Sequence, residues 1–215
     1  MSNGGLAGFL IMLTLAASFG IVGGRSLDTV IKAVAVQAVL LAGFTAAQGW
    51  MTGIPEIYLA AVLTLVVKAG LMPFILARVA GRVGGGRGVK SYVTVKMSFV
   101  ICAALVILAY SVTGKMIGRA GIDDQALPAA VAMMLIGLFI MTTRKRAITQ
   151  VVGLLVIENG VFLAGVGATN GMPPVIELGI MSDALAGVLI MGILAFRINR
   201  AFDTIDTENL RNLRG

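Results

Sequence analysis

The chain contains no histidine and only one cysteine, Cys102, among its 215 residues. Haem, iron–sulfur and zinc sites need several histidine or cysteine ligands, which excludes a redox or zinc centre held by this chain alone. A single cysteine also excludes a disulfide within the chain, and its position inside an apolar run indicates a small core residue. We therefore expect no cofactor and no metal to be bound by this chain.

Charged residues are also scarce: they make up 13% of the sequence, whereas soluble domains carry about 25%. Hydrophobic residues account for 58%, and the mean hydropathy is +0.98. Apolar runs of about 20 residues, long enough to cross a bilayer, recur along the whole length. Because no separate soluble part remains between them, the composition predicts an all-α integral membrane protein surrounded by lipid. The first run lacks a basic segment and a cleavage site, so we interpret it as a retained helix and not a signal peptide.

Glycine, proline and charged residues separate the apolar runs into about seven predicted transmembrane helices. Pro55 opens the third, Pro128 lies at the start of the fifth, and Pro173 and Pro174 precede the seventh. The predicted helices are residues 4–23, 27–49, 55–79, 91–113, 127–143, 147–168 and 175–198.

Basic residues alternate between the loops and thereby predict the orientation of the chain. The loops after the third and fifth helices and the C-terminal end are rich in arginine and lysine, whereas the loops between them are uncharged or balanced. This pattern places the N-terminus outside and the C-terminus in the cytoplasm. It also accounts for the net charge of +7, so the basic balance indicates a membrane orientation and not nucleic-acid binding.

A weak internal repeat joins the two halves of the chain. The segment Leu41-Ala42-Gly43 recurs 122 residues later as Leu163-Ala164-Gly165, followed in both copies by an alanine and an amide–glycine pair. The first three and the last three helices are thus candidates for two parallel copies of one unit, with the fourth helix restoring the orientation. The alternative is that small residues recur simply because membrane helices pack through them.

Ionisable side chains inside a bilayer are costly and are therefore candidates for function. Several lie near predicted helix ends: Lys32, Lys96 and Arg197 can extend to the inner interface, and Glu56 and Glu177 lie near outer ends. We keep Glu177, Glu56 and Lys96 as possible supporting residues. Three others lie near the middle of predicted helices, namely Glu158, Asp183 and Lys68.

Glu158 and Asp183 lie on antiparallel neighbouring helices, about 16 Å from the inner end and about 12 Å from the outer end respectively, at 1.5 Å per residue. Both carboxyl groups are candidates to take up and release protons, and Lys68 is their obvious partner. Pro73 follows Lys68 by five positions and removes the hydrogen bond to the Ala69 carbonyl, which predicts a kink. The alternative interpretation is a neutralised packing pair without transport.

From Arg144 to Gly215 the chain resembles the three-helix K subunit of respiratory complex I. The resemblance rests on the basic loop Arg144-Lys145-Arg146, on Gly153-Leu154, on Asp183-Ala184-Leu185-Ala186-Gly187, and on the tail from Ile205 to the terminal Arg214-Gly215. Asp183 falls where that family carries its second membrane glutamate. Glu158 lies one helical turn after the first one, since Gly153-Leu154-Leu155 stands where the family has Gly-Leu-Glu.

The longer form, with four further N-terminal helices, is similar to component E of the hydrogenase-4 and formate-hydrogenlyase group. The segments that carry this resemblance are Leu65-Val66-Val67-Lys68 with Pro73, and Leu155-Val156-Ile157-Glu158-Asn159-Gly160. It implies three parts: a four-helix part (1–126), a three-helix part similar to the K subunit (127–199) and a polar cytoplasmic tail (200–215).

The resemblance further implies a non-catalytic subunit of the bacterial or archaeal cytoplasmic membrane. Its expected partners are larger antiporter-like membrane subunits and a peripheral arm that holds [NiFe] and iron–sulfur centres and belongs to an oxidoreductase. Glu158, Asp183 and Lys68 would then form part of a path for protons or sodium ions. Two alternatives remain at this point: a subunit of a multi-subunit cation/proton antiporter without a redox arm, and a structural spacer.

Overall fold

A computed structural model of the chain describes residues 3–82, 88–89, 91–117, 125–169 and Gly192. Within these ranges the extended elements are all helical: α1 (Asn3–Gly23), α2 (Leu27–Thr52), α3 (Pro55–Leu63), a π-helix (Thr64–Leu71), α4 (Met72–Arg82), α5 (Val95–Ile117), α6 (Ala126–Thr143) and α7 (Ala147–Thr169). Six segments of this part of the chain are long and apolar enough to cross a membrane. The predicted all-α membrane fold is confirmed.

The third span, Pro55–Gly81, consists of α3, the π-helix and α4 in one run. The seventh predicted helix, residues 175–198, lies outside the described residues except for Gly192. Gly192 lies against Val79, since a Cβ built on the glycine would be 3.1 Å from a Val79 methyl group. The chain at Gly192 therefore passes beside α4.

Four predicted helix bounds differ from the structure by three or four residues. The third and fourth helices end at Arg82 and Ile117 and not at residues 79 and 113. The other two differences have identifiable reasons. The second helix continues past Gly49 to Thr52, because the residue that ends it is Gly53, whose φ of 69° is left-handed. The Gly53 N–H donates to the Gly49 carbonyl at 2.9 Å. The fourth helix begins at Val95 and not at residue 91. Ser91 and Tyr92 precede it and are bonded to the end of α6 instead.

The closest helix packing joins α6 to α7, and small residues make it possible. A Cβ built on Gly137 would be 2.6 Å from the Gly153 carbonyl oxygen, and one built on Gly153 would be 2.7 Å from the Gly137 carbonyl oxygen. A Cβ built on Gly160 would be 2.9 Å from the Ala130 carbonyl oxygen. Glycines at these positions allow the two backbones to approach as membrane helices often do.

The loops that carry basic residues meet at one end of the bundle. The Val89 N–H donates to the Arg25 carbonyl at 3.0 Å, and the Tyr92 N–H donates to the Thr143 carbonyl at 3.0 Å. The Arg144 guanidinium donates to the Val22 carbonyl at 2.6 Å. This clustering agrees with the loop alternation predicted from the charges, because the α1–α2, α4–α5 and α6–α7 connections share a side.

Candidate functional site

The centre of the candidate site is an ion pair between the third span and α7. Lys68 Nζ lies 3.1 Å from Glu158 Oε1, and the two side chains are only 4% and 7% exposed. That contact is the only polar one either atom makes within the described part of the chain, since both lack a hydrogen-bond partner there. The pairing of Lys68 with Glu158 predicted from the sequence is therefore present.

Helix geometry places both sides of the pair. Glu158 lies eleven residues after Ala147, the first residue of α7, which corresponds to about 16 Å along the helix axis. Phe162 follows one turn later on the same face of α7, fully buried, and Lys68 Nζ lies 4.6 Å from the centroid of its ring. The ammonium group is thus held between a carboxylate and an aromatic face, both of which favour a cation.

Lys68 lies within the π-helix, where backbone hydrogen bonds join residues five apart and not four apart as in an α-helix. At the end of this segment the Met72 N–H donates to the Val67 carbonyl, five residues earlier. The sequence predicts a distortion at Pro73, and the structure places it in the eight residues Thr64–Leu71, which end two positions before the proline. A π-helical segment of this length is rare and is often found at functional sites.

A second buried polar group, not predicted from the sequence, lies beside the ion pair. Asn159 Nδ2 donates to Gln37 Oε1 at 3.1 Å. Gln37 Nε2 in turn donates to Ser18 Oγ at 2.7 Å and to the Thr14 carbonyl at 3.4 Å. These amides carry no charge, so a search for ionisable residues passes over them. The sequence nevertheless contained a signal for this cluster: Thr14 and Ser18 lie one turn apart in the first apolar run, and Gln37 lies in the second.

The remaining predicted site residues lie elsewhere or outside the described residues. Glu56 is exposed in the first turn of α3, and Lys96 is exposed in the first turn of α5. Asp183 and Glu177 lie outside the described residues. The structure therefore brings together Lys68 and Glu158 and leaves Glu56 and Lys96 at helix ends, as their positions in the sequence predict.

Arg144 is the other buried charge among the described residues and lies at the end of the bundle where the basic loops meet. It is 6% exposed and caps α1 through the Val22 carbonyl. Burial lowers the pKa of its guanidinium, and the nearby Cys102 opposes that shift. Its carbonyl accepts from Gln150 Nε2 at 3.0 Å. Arg144 thus joins α1 to the connection between α6 and α7.

The ion pair has the chemistry needed to exchange a proton. A lysine and a glutamate in contact in a weakly polar interior can exist as a charged or a neutral pair. Described residues contain no group of three or more histidine, cysteine, aspartate or glutamate side chains that could hold a metal. The Lys68–Glu158 pair itself is chemically able to exchange a proton and to compensate charge.

Known proteins with similar sequences cover the whole chain. Residues 125–215 match the family NADH-ubiquinone/plastoquinone oxidoreductase chain 4L. The chain is 32% identical over 222 aligned positions to the uncharacterised protein Rv0085 of Mycobacterium tuberculosis, with 100% of both proteins covered. It is 26% identical to hydrogenase-4 component E of Escherichia coli strain K12 and of Shigella flexneri, with 84% of each chain covered. No solved structure matches.

Proposed function

Since the chain belongs to the hydrogenase-4 component E family and is a complex-I-like membrane subunit, we propose that it contributes to proton or sodium-ion translocation coupled to electron transfer in partner subunits. The observation that carries this proposal is the buried Lys68–Glu158 pair, 3.1 Å apart near the middle of two membrane spans. A spacer subunit would hold such a bundle together with apolar side chains alone, at lower cost than a buried ion pair.

The electron chemistry is assigned to other chains because this one lacks suitable ligands. It has no histidine and one cysteine in its whole sequence, which does not fit an iron–sulfur cluster or a [NiFe] site. Such centres would belong to a peripheral arm in partner subunits. The part left to this chain is to accept, hold and release protons at Glu158 within the membrane.

Asp183 is proposed as the second carboxyl group of the path. Gly192 lies against Val79, and the predicted seventh helix runs in the same direction as the third span. At 1.5 Å per residue, the predicted seventh helix would place Asp183 about 14 Å along its axis from Gly192. Lys68 lies about 16 Å from Val79 along the third span. These depths agree within one turn, which supports Asp183 as a second carboxyl group at the depth of Lys68.

The proposed partners are the larger antiporter-like membrane subunits that would continue the path, together with the peripheral redox arm. We place the complex in the bacterial or archaeal cytoplasmic membrane, with the N-terminus outside and the C-terminal tail facing the redox arm. The loop charges support this orientation, because the basic α1–α2, α4–α5 and α6–α7 connections meet at one end and basic loops stay in the cytoplasm.

The test compares ion pumping with electron transfer in membrane vesicles that contain the whole complex. Glu158→Gln and Asp183→Asn keep the shape of each side chain but remove its titratable proton. Each is expected to leave assembly intact and to lower pumping per turnover by about tenfold or more, whereas dye-mediated oxidoreductase activity in the peripheral arm persists. Asp28→Asn, at an exposed position in the first turn of α2, is the matched control.

The alternatives give different results in the same assay. An antiporter subunit without a redox arm would show cation-driven proton exchange but no associated oxidoreductase activity in the purified complex. A spacer would keep full pumping in the Glu158→Gln, Asp183→Asn double variant, and that result would reject the proposal.

A further inference from the structure

Gln37 is the most completely buried amide among the described residues and lies at the junction of three helices. It belongs to α2, is 0% exposed, donates to Ser18 and to the Thr14 carbonyl on α1, and accepts from Asn159 on α7. Its donor group and its acceptor are both satisfied. An arrangement of this kind in an apolar bundle fixes direction as well as distance, because each bond has a preferred angle.

Asn159, its partner on α7, is the residue next to Glu158. Successive residues on an α-helix point about 100° apart, so α7 directs Glu158 towards the third span and Asn159 towards α2. One rotational setting of α7 satisfies both contacts. A rotation that separated Asn159 from Gln37 would turn Glu158 away from Lys68 in the same movement.

The α6–α7 hairpin contacts the first hairpin at two pairs of positions with the same sequence separation. Gln37 and Asn159 are 122 residues apart, and so are Val22 and Arg144. This spacing equals the period of the weak repeat between Leu41-Ala42-Gly43 and Leu163-Ala164-Gly165. The α1–α2 and α6–α7 hairpins therefore lie in register, and two polar contacts, one near the loops and one inside the bundle, hold that register.

Lys68 and Glu158 do not fix this geometry themselves. Their side chains are long, they make a single contact of 3.1 Å, and neither of these atoms bonds elsewhere in the described part of the chain. The hydrogen bonds of the Gln37 cluster (Thr14, Ser18, Gln37 and Asn159) hold α7 at a defined rotation, which the ion pair alone does not. A functional pair in a protein commonly depends on such supporting hydrogen bonds.

We propose that Gln37 is a positioning residue: through Asn159 it sets the rotation of α7 that keeps Glu158 in contact with Lys68. The consequence for transport rests on the function proposed above, but the geometric claim does not. Gln37 itself has no titratable proton and takes no proton in this scheme.

The test measures the reactivity of Glu158 in resting membranes with the apolar reagent N,N′-dicyclohexylcarbodiimide. This reagent adds a protonated carboxyl group across one of its C=N bonds: the carboxyl oxygen joins the carbon and the proton joins a nitrogen. An ion pair with Lys68 protects Glu158, since the paired carboxylate is ionised. Modification of the peptide that contains residue 158 is followed by mass spectrometry, with Glu158→Gln as the blank and Lys68→Met as the unprotected reference.

Gln37→Met keeps the length and volume of the side chain and removes its hydrogen bonds. We expect it to raise the labelling rate of Glu158 by on the order of fivefold, the factor that corresponds to the loss of the one bond between Gln37 and Asn159. Ser18→Ala removes one bond from the far side of Gln37 and should give a smaller rise; it decides the question if Gln37→Met does not assemble. The double variant Gln37→Asn, Asn159→Gln exchanges the two side chains and restores the bond between positions 37 and 159. It should return the labelling rate towards that of the wild type.

A wild-type labelling rate in assembled Gln37→Met or, where that variant does not assemble, in Ser18→Ala overturns the proposal. So does an exchange variant that labels as fast as Gln37→Asn alone. Because labelling is measured without turnover, these outcomes are independent of transport. Full pumping by the Glu158→Gln, Asp183→Asn double variant would reject the proposed function and leave the positioning role of Gln37 standing.

Discussion

At the scale of single residues, the charge of Lys68 depends on one partner within the described part of the protein. Glu158 lies 3.1 Å away, and the ring of Phe162 covers another side of the ammonium group. The sequence predicted this pair because charged residues are conspicuous in apolar runs. It did not predict the Gln37 cluster, because a neutral amide is a smaller departure from the surrounding composition and its partners lie on two other helices.

Removing the lysine is expected to be worse than removing the carboxyl group's proton. Lys68→Met leaves Glu158 buried without its cation, which costs about 3–5 kcal/mol for a broken buried pair. We expect lower recovery of the assembled complex from membranes, measured by quantitative blotting after mild detergent extraction. The double variant Lys68→Met, Glu158→Leu removes both charges and should recover most of the loss; recovery no better than with Lys68→Met alone would contradict the pairing.

At the scale of elements, the third span shows what a pattern of residues can and cannot predict. Its beginning at Pro55 and its span-forming length were predicted correctly, because proline at a first helical turn and an apolar run are local signals. The π-helix from Thr64 to Leu71 was not, since only a distortion at Pro73 could be inferred. Likewise, Ser91 and Tyr92 were predicted to belong to the fourth helix, but their hydrogen bonds to the Thr143 carbonyl hold them outside α5.

The α6–α7 packing gives a prediction at the same scale. In Gly153→Ala the new methyl group would be 2.7 Å from the Gly137 carbonyl oxygen and 2.9 Å from the Met141 backbone nitrogen. Neither backbone atom can move alone, so the helices must separate at a cost of about 1–3 kcal/mol. Gly20→Ala in α1 meets nothing within 4 Å and serves as the matched control. Thermal unfolding in detergent should shift downwards only for Gly153→Ala; equal shifts would argue against close packing.

At the scale of the whole molecule, six predicted spans have counterparts in the described part of the chain. The sequence predicted them well because the bilayer imposes one length and one composition on every span. It also predicted which loops share a side, through their charge. Apart from the third and sixth spans, which the predicted Lys68–Glu158 pair joins, the helix neighbours could not be predicted, because contacts such as that of Arg144 with Val22 join residues 122 positions apart.

The orientation can be tested with reporter fusions. A reporter placed after Gly215 is expected to show cytoplasmic activity, and one inserted in the loop 170–172 is expected to show external activity. The reason is the excess of arginine and lysine in alternate loops. A cytoplasmic signal at 170–172 would contradict the seven-span topology, and a fusion in the basic loop 83–87 provides the cytoplasmic reference.

The bonds between loops have a consequence for the order of synthesis. Ser91 and Tyr92 donate to the carbonyl of Thr143, and the Val22 carbonyl accepts from the Arg144 guanidinium. When the ribosome has delivered only the first four spans, none of these partners yet exists. We therefore expect an insertion intermediate with four spans to lack these bonds at the end of the bundle where the basic loops meet, and we expect the bonds to form once residues 143 and 144 have emerged. Tyr92 is 74% exposed in the finished fold, so the difference lies in its backbone bond to Thr143. An added protease should cut a nascent chain stalled before residue 143 near Tyr92 faster than it cuts the completed chain.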